Sequence, residues 1–209
     1  MPAHYEVVKG VALPARLGGH PALDFCNTWT GWDGKDTGDY LKGYDHLAVW
    51  AGFVGLLPPD RVTLLRRQAN RQARAALAVL DRTRRFRASL YKVLRNGAIG
   101  PDWDAVARAI HTAAAALRLR PADATINWEI GTEAGLAAPF LVAAWSAGEL
   151  LISPGRSLVR ACPGTGCGWL FLDRRGRRRW CTMATCGNRE KVRRFAARQQ
   201  ADVRGDVPH

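Results

Sequence analysis

Residues 162–186 read CPGTGCGWLFLDRRGRRRWCTMATC, and the architecture of the C-terminal part of the chain follows from this stretch. Its cysteines, Cys162, Cys167, Cys181 and Cys186, form two pairs with four residues inside each pair and thirteen residues between the pairs. Two thiolates a few residues apart can each supply one edge of a tetrahedron, which is the geometry of structural Zn²⁺ sites. The spacing therefore predicts one zinc ion bound by all four cysteines.

Two other interpretations of these cysteines are a pair of disulfides and four unrelated core residues. Disulfides persist in oxidising compartments, and residues 1–19 lack the apolar segment of a secretory signal. Four thiolates leave no coordination position for water, so the metal would have a structural role rather than a hydrolytic one. We expect a structural zinc site in a cytoplasmic protein, with the fifth cysteine, Cys26, as a small buried residue.

The residues around the second cysteine pair resemble a known zinc finger. WCTMATCGNREKVRRF, residues 180–195, is similar to the CGNR-type finger of a family of bacterial stress-induced transcription regulators, and the similarity is close over residues 158–198. GGHPALDFCNTW, residues 18–29, resembles the opening of the helical domain that usually precedes this finger. The turn DRRGRRRWC, residues 173–181, is shorter than in the family and lacks its Ser and Asn residues. The resemblance implies a helical domain joined to a DNA-binding finger.

The basic residues are concentrated in the same region. The chain has 209 residues and a formal net charge of +13, and residues 156–198 contain twelve basic side chains against Asp173 and Glu190, a net charge of +10. Such asymmetry favours a polyanionic partner, and arginine suits phosphate groups and guanine edges. The alternative is a genome that uses arginine wherever a surface needs charge.

DNA is the expected partner, with RNA as a close variant. The residues expected to contact the nucleic acid are Arg174, Arg175, Arg177, Arg178, Arg179, Arg189, Lys191, Arg193, Arg194 and Arg198. Residues 169–173 and 177–180 have strand character on either side of a turn at Gly176, which predicts a β-hairpin between the cysteine pairs. Asn188 is expected to cap a last helix in which Val192 and Phe195 pack inward. Together these elements predict a treble-clef-like finger.

The whole sequence predicts a mainly α fold with two units. Residues 1–153 form a helical, Trp-rich domain with a minor β element, and residues 156–200 form the basic zinc finger. Helices are predicted over 22–29, 44–54, 61–96 with a bend near 81–85, 102–119 and 137–152, and strands over 5–8 and 125–130. The longest uncharged apolar run, 134–148, is shorter than the ~20 residues that cross a bilayer. We therefore expect a soluble protein whose core centres on residues 137–152.

The function of the helical domain is less specified by its residues. Six of the eight tryptophans lie there, and large aromatic side chains either wall a small-molecule pocket or fill a helical core. The candidate pocket residues are His20, Asp24, Asn27 and Trp29. The alternative for Asp24 and Asn27 is hydrogen bonding to the following loop.

No motif of a known catalytic class occurs, so no catalytic residue is predicted and enzymatic activity is not expected. The leading hypothesis is a zinc-finger DNA-binding transcription regulator that responds to a small molecule bound by the helical domain. The competing hypothesis is a small-molecule-binding or catalytic helical domain whose zinc finger is purely structural.

Overall fold

The computed structural model describes residues 5–34, 37–122 and 125–205, and these residues are mainly helical. The helices are α1 Pro21–Cys26, α2 Tyr44–Phe53, α3 Pro59–Arg71, α4 Ala73–Asn96, α5 Gly100–Ala115, α6 Ala138–Ile152 and α7 Asn188–Gly205. The strands form antiparallel pairs, β1 Tyr5–Val8 with β2 Val11–Pro14, β3 Trp29–Thr30 with β4 Gly38–Asp39, β5 Leu117–Ala122 with β6 Thr125–Ile130, and β7 Val159–Ala161 with β8 Leu170–Leu172. The predicted mainly α fold class is confirmed.

Helix α6 lies at the centre of the helical part, as its apolar sequence predicts. It packs against α1, α2, α4 and α5. Aromatic side chains of α6 and of three of these helices contact one another in series. The Phe140 ring on α6 meets Phe86 edge-on at 5.6 Å between centroids, and Phe25 lies 5.8 Å from Phe86 and 5.1 Å from Trp50. Side chains from four helices thus share one core.

The same apolar stretch has the length and composition of a membrane span. Thr132–Ile152, which includes the 3₁₀ turn before α6, is long and apolar enough to cross a membrane, but 67% of its apolar window is buried inside the protein. That burial is what the central helix of a soluble protein shows, because neighbouring helices rather than lipid cover its surface.

The predicted helix over residues 61–96 is divided into α3 and α4 at Gln72, and α4 continues as one helix through residues 81–85. Gln72 has φ −127° and ψ 50°, outside the helical region. A single helix of that length would extend about 54 Å, further than a core of this size can cover. The break lets Val62 and Leu65 of α3 and Leu80 of α4 all reach the same core.

The prediction of a helix to residue 119 is also wrong at its C-terminal end. Helix α5 ends at Ala115, and β5 pairs residue by residue with β6, from Leu117 opposite Ile130 to Ala122 opposite Thr125. The alternation of Leu and Arg over residues 117–120 is a strand pattern, and Pro121 cannot continue a helix. The predicted strand over 125–130 is confirmed as one half of this hairpin.

Strand β8 joins the C-terminal part to the helical part. Successive side chains of a strand point to opposite faces. Leu170 and Leu172 belong to the helical core, whereas Phe171 packs in a second buried cluster with three of the cysteines, Trp169 and Tyr40. One short strand therefore contributes to both hydrophobic clusters.

Candidate metal centre and nucleic-acid interface

The four cysteines predicted as ligands converge at one point. Their sulfur atoms all lie within 4.8 Å of one another, with 3.7 Å between Cys167 Sγ and Cys181 Sγ and 3.6 Å between Cys181 Sγ and Cys186 Sγ. A tetrahedron with Zn–S bonds of about 2.3 Å has sulfur–sulfur edges of about 3.8 Å. The sulfurs are too far apart for disulfides, whose bond is about 2.05 Å long, and all five cysteines are free. The centre can bind one zinc ion.

The first pair of ligands lies in a tight turn between β7 and β8. Cys162 directly follows β7 and donates its backbone N–H to Trp169 O at 2.8 Å, and Cys167 N–H closes the turn on Gly164 O at 2.9 Å. A Cβ on Gly164 would lie 3.0 Å from Cys186 Sγ. Glycine at that position lets the first turn approach the second pair of sulfurs.

In the second pair, Cys181 precedes a π-helical turn, Met183–Gly187, and Cys186 lies within that turn, which leads directly into α7. Thr182 begins the turn, and its hydroxyl accepts a hydrogen bond from Ala184 N at 3.2 Å. The prediction that Asn188 caps the last helix is wrong, because Asn188 is already helical, with φ −66° and ψ −41°. The capping side chain is that of Thr182, earlier in the chain than predicted.

The first predicted strand of the finger hairpin, residues 169–173, is confirmed as β8, but its predicted partner is wrong. Strand β8 pairs with β7, the strand that precedes it in the chain, with Val159 opposite Leu172. Residues 177–180 form no strand. Instead, the Asp173 carboxylate accepts hydrogen bonds from the backbone N–H groups of Arg177 at 3.0 Å and Arg178 at 3.1 Å. These bonds lower the pKa of Asp173 and turn the chain into a compact loop. We call residues 173–180 the arginine loop.

Arg178 differs from the other predicted nucleic-acid contacts. Its guanidinium donates to the carbonyl oxygens of Leu17 at 2.7 Å, Cys181 at 2.5 Å and Trp180 at 3.3 Å, and it lies 4.4 Å over the ring of Phe171. These contacts tie the arginine loop to the second cysteine pair and to the helical part. Arg178 therefore has a structural role, and its side chain is not available to a partner.

The other cations of the arginine loop are exposed to solvent. They are Arg174, Arg175, Arg177 and Arg179. Arg174 has a weak contact with Gly19 O at 3.5 Å, and Arg179 lies 5.6 Å over the ring of Trp180. Neither contact neutralises the charge, so the loop presents four cations to any approaching anion.

Helix α7 presents a second group of exposed cations. All its side chains from Lys191 to residue 199 are exposed. Glu190 pairs with Arg193 at 2.7 Å and with Arg194 at 3.1 Å, and Arg193 also donates to Thr165 Oγ1 at 2.7 Å. The exposed cations of α7 to which the structure gives no acidic partner within the described residues are Arg189, Lys191 and Arg198.

The expected inward packing of α7 is wrong. Val192 is 68% exposed and Phe195 is 64% exposed. These apolar residues are not covered by protein within the described part of the chain. Both of its faces are open to solvent.

The four candidate pocket residues lie where the finger meets the helical part. Asn27 is fully buried, donates its amide N–H to Leu170 O at 2.9 Å and accepts from Leu170 N at 2.8 Å. Trp29 O accepts the indole N–H of Trp169 at 2.9 Å. Asp24 accepts from Gly18 N at 2.7 Å, and His20 Nδ1 accepts from Ala22 N at 3.2 Å at the start of α1. The polar atoms named here bind protein atoms, and those of Asn27 and Trp29 bind residues of the finger.

The close packing at this junction depends on small residues. A Cβ on Gly168 would lie 2.6 Å from Trp32 Cβ and 2.8 Å from Tyr91 Oη, and Gly168 has a left-handed φ of +65°. Tyr91 donates its hydroxyl hydrogen to Gly168 O at 2.8 Å, and its ring stacks on Trp32 at 3.8 Å. Trp32 is therefore used in the junction between the finger and the helical part.

The Asp24 carboxyl group at the junction has an unusually high pKa. Burial raises the pKa of Asp24 to about 6, although the hydrogen bond from Gly18 and the charges of Arg16 and Arg178 act in the opposite direction. The pKa of His20 is lowered by burial and by Arg174. Two groups of the GGHPALD segment thus favour their neutral forms in the folded protein.

The remaining tryptophans divide between the core and a surface cleft. Trp50 is 1% exposed and fills the core. Trp128 and Trp145 line a cleft of about 770 Å³ between the β5–β6 hairpin and α6, together with Glu149 and Arg61. A second cavity lies beside the β3–β4 hairpin, and Tyr40 and His46 line it. The sequence analysis did not identify this cavity, because His46 is one of five histidines scattered along the chain. No spacing pattern marks these two residues.

Two family profiles match the chain. Residues 159–199 match the CGNR zinc finger, and residues 19–154 match the family described as "Putative stress-induced transcription regulator". No curated protein matches the chain. The matched segments agree with the family resemblance of the cysteine region and of residues 18–29. The chain belongs to the ABATE family, and its ABATE domain is followed by a CGNR zinc finger.

Proposed function

We propose that this protein binds DNA through its zinc finger and regulates transcription in response to a small molecule bound by the helical part. The observation that carries the proposal is the set of exposed, uncompensated cations on the arginine loop and α7. Only two acidic residues lie in residues 156–198. The Asp173 carboxylate accepts hydrogen bonds from backbone N–H groups, and Glu190 pairs with Arg193 and Arg194.

The zinc centre gives these cations a fixed framework. Cys181 precedes the turn that leads into α7, Cys186 lies within it, and Arg178 ties the arginine loop to Cys181 O. A loop and a helix held in this way can place arginines against phosphates and base edges with little loss of conformational entropy. Arg178 contributes to this framework, and the DNA contacts are assigned to the other nine basic residues.

Two further features belong to the proposal. The units are residues 1–153 and residues 156–200, and they share a junction built around Asn27 and Leu170. The four cysteines must stay reduced to bind zinc, and a reducing compartment such as the cytoplasm maintains that state.

Equilibrium binding to duplex DNA, followed by fluorescence anisotropy at two salt concentrations, tests the proposal. The test variant is R189Q/K191Q/R198Q, and the matched control is R67Q/R71Q/R74Q, which removes the same charge from exposed positions on α3 and α4. We expect the test variant to bind more weakly. Its slope of log affinity against log salt should fall by about 0.9 for each phosphate group that the variant no longer neutralises. The control should bind as the wild type does.

Equal effects of the two variants would assign binding to net charge alone and overturn the assignment to the finger. Tighter binding to single-stranded or duplex RNA than to DNA would replace DNA by RNA as the partner. Absence of binding to every nucleic acid would favour the competing function, a small-molecule-binding helical domain with a structural finger, which the 770 Å³ cleft supports.

A further inference from the structure

A cavity of about 360 Å³ lies between the two short hairpins β1–β2 and β3–β4 and the start of α2. Its walls include Val11 and Ala12 of β2 and the rings of Tyr5 and Tyr40, so much of its surface is apolar. The volume falls within the range of small-molecule sites, which combine apolar walls with a few fixed polar groups. The polar groups therefore decide what chemistry the cavity accepts.

Two polar atoms of residues that line this cavity have no hydrogen-bond partner within the described residues. Tyr40 is only 6% exposed, yet its hydroxyl is unpaired, and Nδ1 of His46 is buried and unpaired as well. A buried polar group without a partner costs roughly 1–3 kcal/mol. Such groups are expected where a bound molecule completes their hydrogen bonding.

The Asp39 carboxylate and the Thr30 hydroxyl at the cavity already have hydrogen-bond partners. Asp39 accepts from Arg87 through both carboxylate oxygens, at 2.8 and 2.7 Å, and from Leu41 N at 2.8 Å. Arg84 also pairs with Asp39, at 3.2 Å. Thr30 donates its hydroxyl hydrogen to Gly38 O. No unpaired carboxylate is therefore left at the described wall of the cavity.

The groups that remain at the wall are donors and positive charge. Lys42 is exposed at the rim. Gly43 precedes the ten-residue helix α2 and provides no side-chain cap. His46 in the first turn of α2 lines the cavity, so the positive end of that helix adjoins it. Burial lowers the pKa of His46, so its imidazole is neutral near pH 7 and can carry a hydrogen on Nδ1. These groups are complementary to a small anionic group.

We propose that this cavity binds a small carboxylic acid with an apolar body the size of one or two rings. The carboxylate accepts hydrogen bonds from Tyr40 Oη and His46 Nδ1 beside the charge of Lys42, and the body lies against Val11 and Ala12. For regulation this inference rests on the proposed function, whereas binding of the acid is independent of DNA.

Tyr40 gives the site a physical connection to the zinc finger. Its ring packs in the cluster that contains Cys162, Cys181, Cys186 and Trp169, while the residue also lines the cavity. An acid that fixes the Tyr40 hydroxyl therefore restrains a side chain that the metal centre packs against. The expected consequence is a change in DNA affinity when the cavity is filled.

Calorimetric titration of the zinc-loaded full chain with benzoate, 2-naphthoate and benzamide tests the site. We expect one acid bound per chain, with benzamide at least about 10-fold weaker because it lacks the charge. Y40F and K42M should each weaken the binding of the acid by about 5–10-fold. K92M, which removes an exposed lysine of α4 outside the cavity, should leave binding unchanged, and zinc content and thermal midpoint should show that Y40F is folded.

Equal affinity for acid and amide, no binding of either acid, or unchanged binding by Y40F and K42M would overturn the site. The DNA anisotropy measurement repeated with saturating 2-naphthoate then tests regulation. A change in DNA affinity that Y40F abolishes supports it, and an unchanged affinity overturns it. Binding of the acid by a protein that binds no nucleic acid would keep the site and refute the proposed function.

Discussion

The Asn27 side chain and the Leu170 backbone form a reciprocal pair of hydrogen bonds across 143 residues of sequence. The amide of Asn27 occupies the free edge of β8 as a neighbouring strand would, and it is fully buried there. This pair joins the ABATE domain to the zinc finger at the strand that carries residues of both hydrophobic clusters. The stability of one unit is therefore linked to that of the other.

Replacement of Asn27 by leucine should destabilise the protein by about 2–4 kcal/mol, because it leaves the N–H and C=O of Leu170 buried without partners. Chemical denaturation of the full chain measures the change. N127L, at an exposed position of β6, is the matched control and should change stability by less than about 0.5 kcal/mol. A destabilisation below about 1 kcal/mol for N27L would show that the pair does not join the units.

Removal of zinc should weaken both parts of the molecule. Metal analysis of the reduced protein should give one zinc per chain, since four sulfurs converge on one point. Chelation should change the fluorescence of the tryptophans at the junction and lower the thermal midpoint of the helices, because β8 contributes Leu170 and Leu172 to their core. An unchanged helical melting transition after complete removal of zinc would contradict the link.

Arg178 and Arg177 should respond in opposite ways to substitution. R178Q should destabilise the protein by about 1–3 kcal/mol, because the Arg178 guanidinium satisfies the carbonyls of Leu17, Trp180 and Cys181. R177Q should leave stability unchanged within about 0.5 kcal/mol and reduce DNA affinity, since that side chain is exposed. Denaturation and DNA anisotropy on both variants make the comparison, and equal stability would refute the structural assignment of Arg178.

The raised pKa of Asp24 predicts a pH dependence of stability. The pKa of the carboxyl is 3.8 in the unfolded chain and about 6 in the folded protein, so between these values the folded state binds more protons. Stability should therefore fall as the pH rises from about 4 to about 6, by on the order of 2 kcal/mol. His20 acts with the opposite sign, because its lowered pKa removes stability as the pH falls through 6.5.

The comparison of wild type with D24N isolates the contribution of Asp24, since His20 is present in both. The amide keeps an acceptor for Gly18 N and does not ionise. Denaturation midpoints at about pH 4 and about pH 7 should show D24N gaining stability relative to the wild type at the higher pH. A difference between the two proteins that does not vary with pH would refute the assignment.

Local patterns predicted much of the fold and the metal centre. The spacing of Cys162, Cys167, Cys181 and Cys186 was sufficient to predict their convergence, because two tight turns bring each pair together whatever surrounds them. The apolar sequence of α6 predicted the central helix for a similar reason, since no polar face would allow it to lie on the surface. The strand over 125–130 was visible in its alternation.

The number of metal ligands, the location of the excess charge and the helix at the centre of the core could all be predicted from the amino-acid sequence, because each depends on residues close together in the chain. Only the tertiary structure showed three other features. These are the pairing of β8 with β7, the structural role of Arg178 and the bonds between Asn27 and Leu170. Several residues could have supplied each of those partners. Hydrogen-bond partners far apart in sequence are selected by the packing of α1 against β8, and no local pattern encodes that choice.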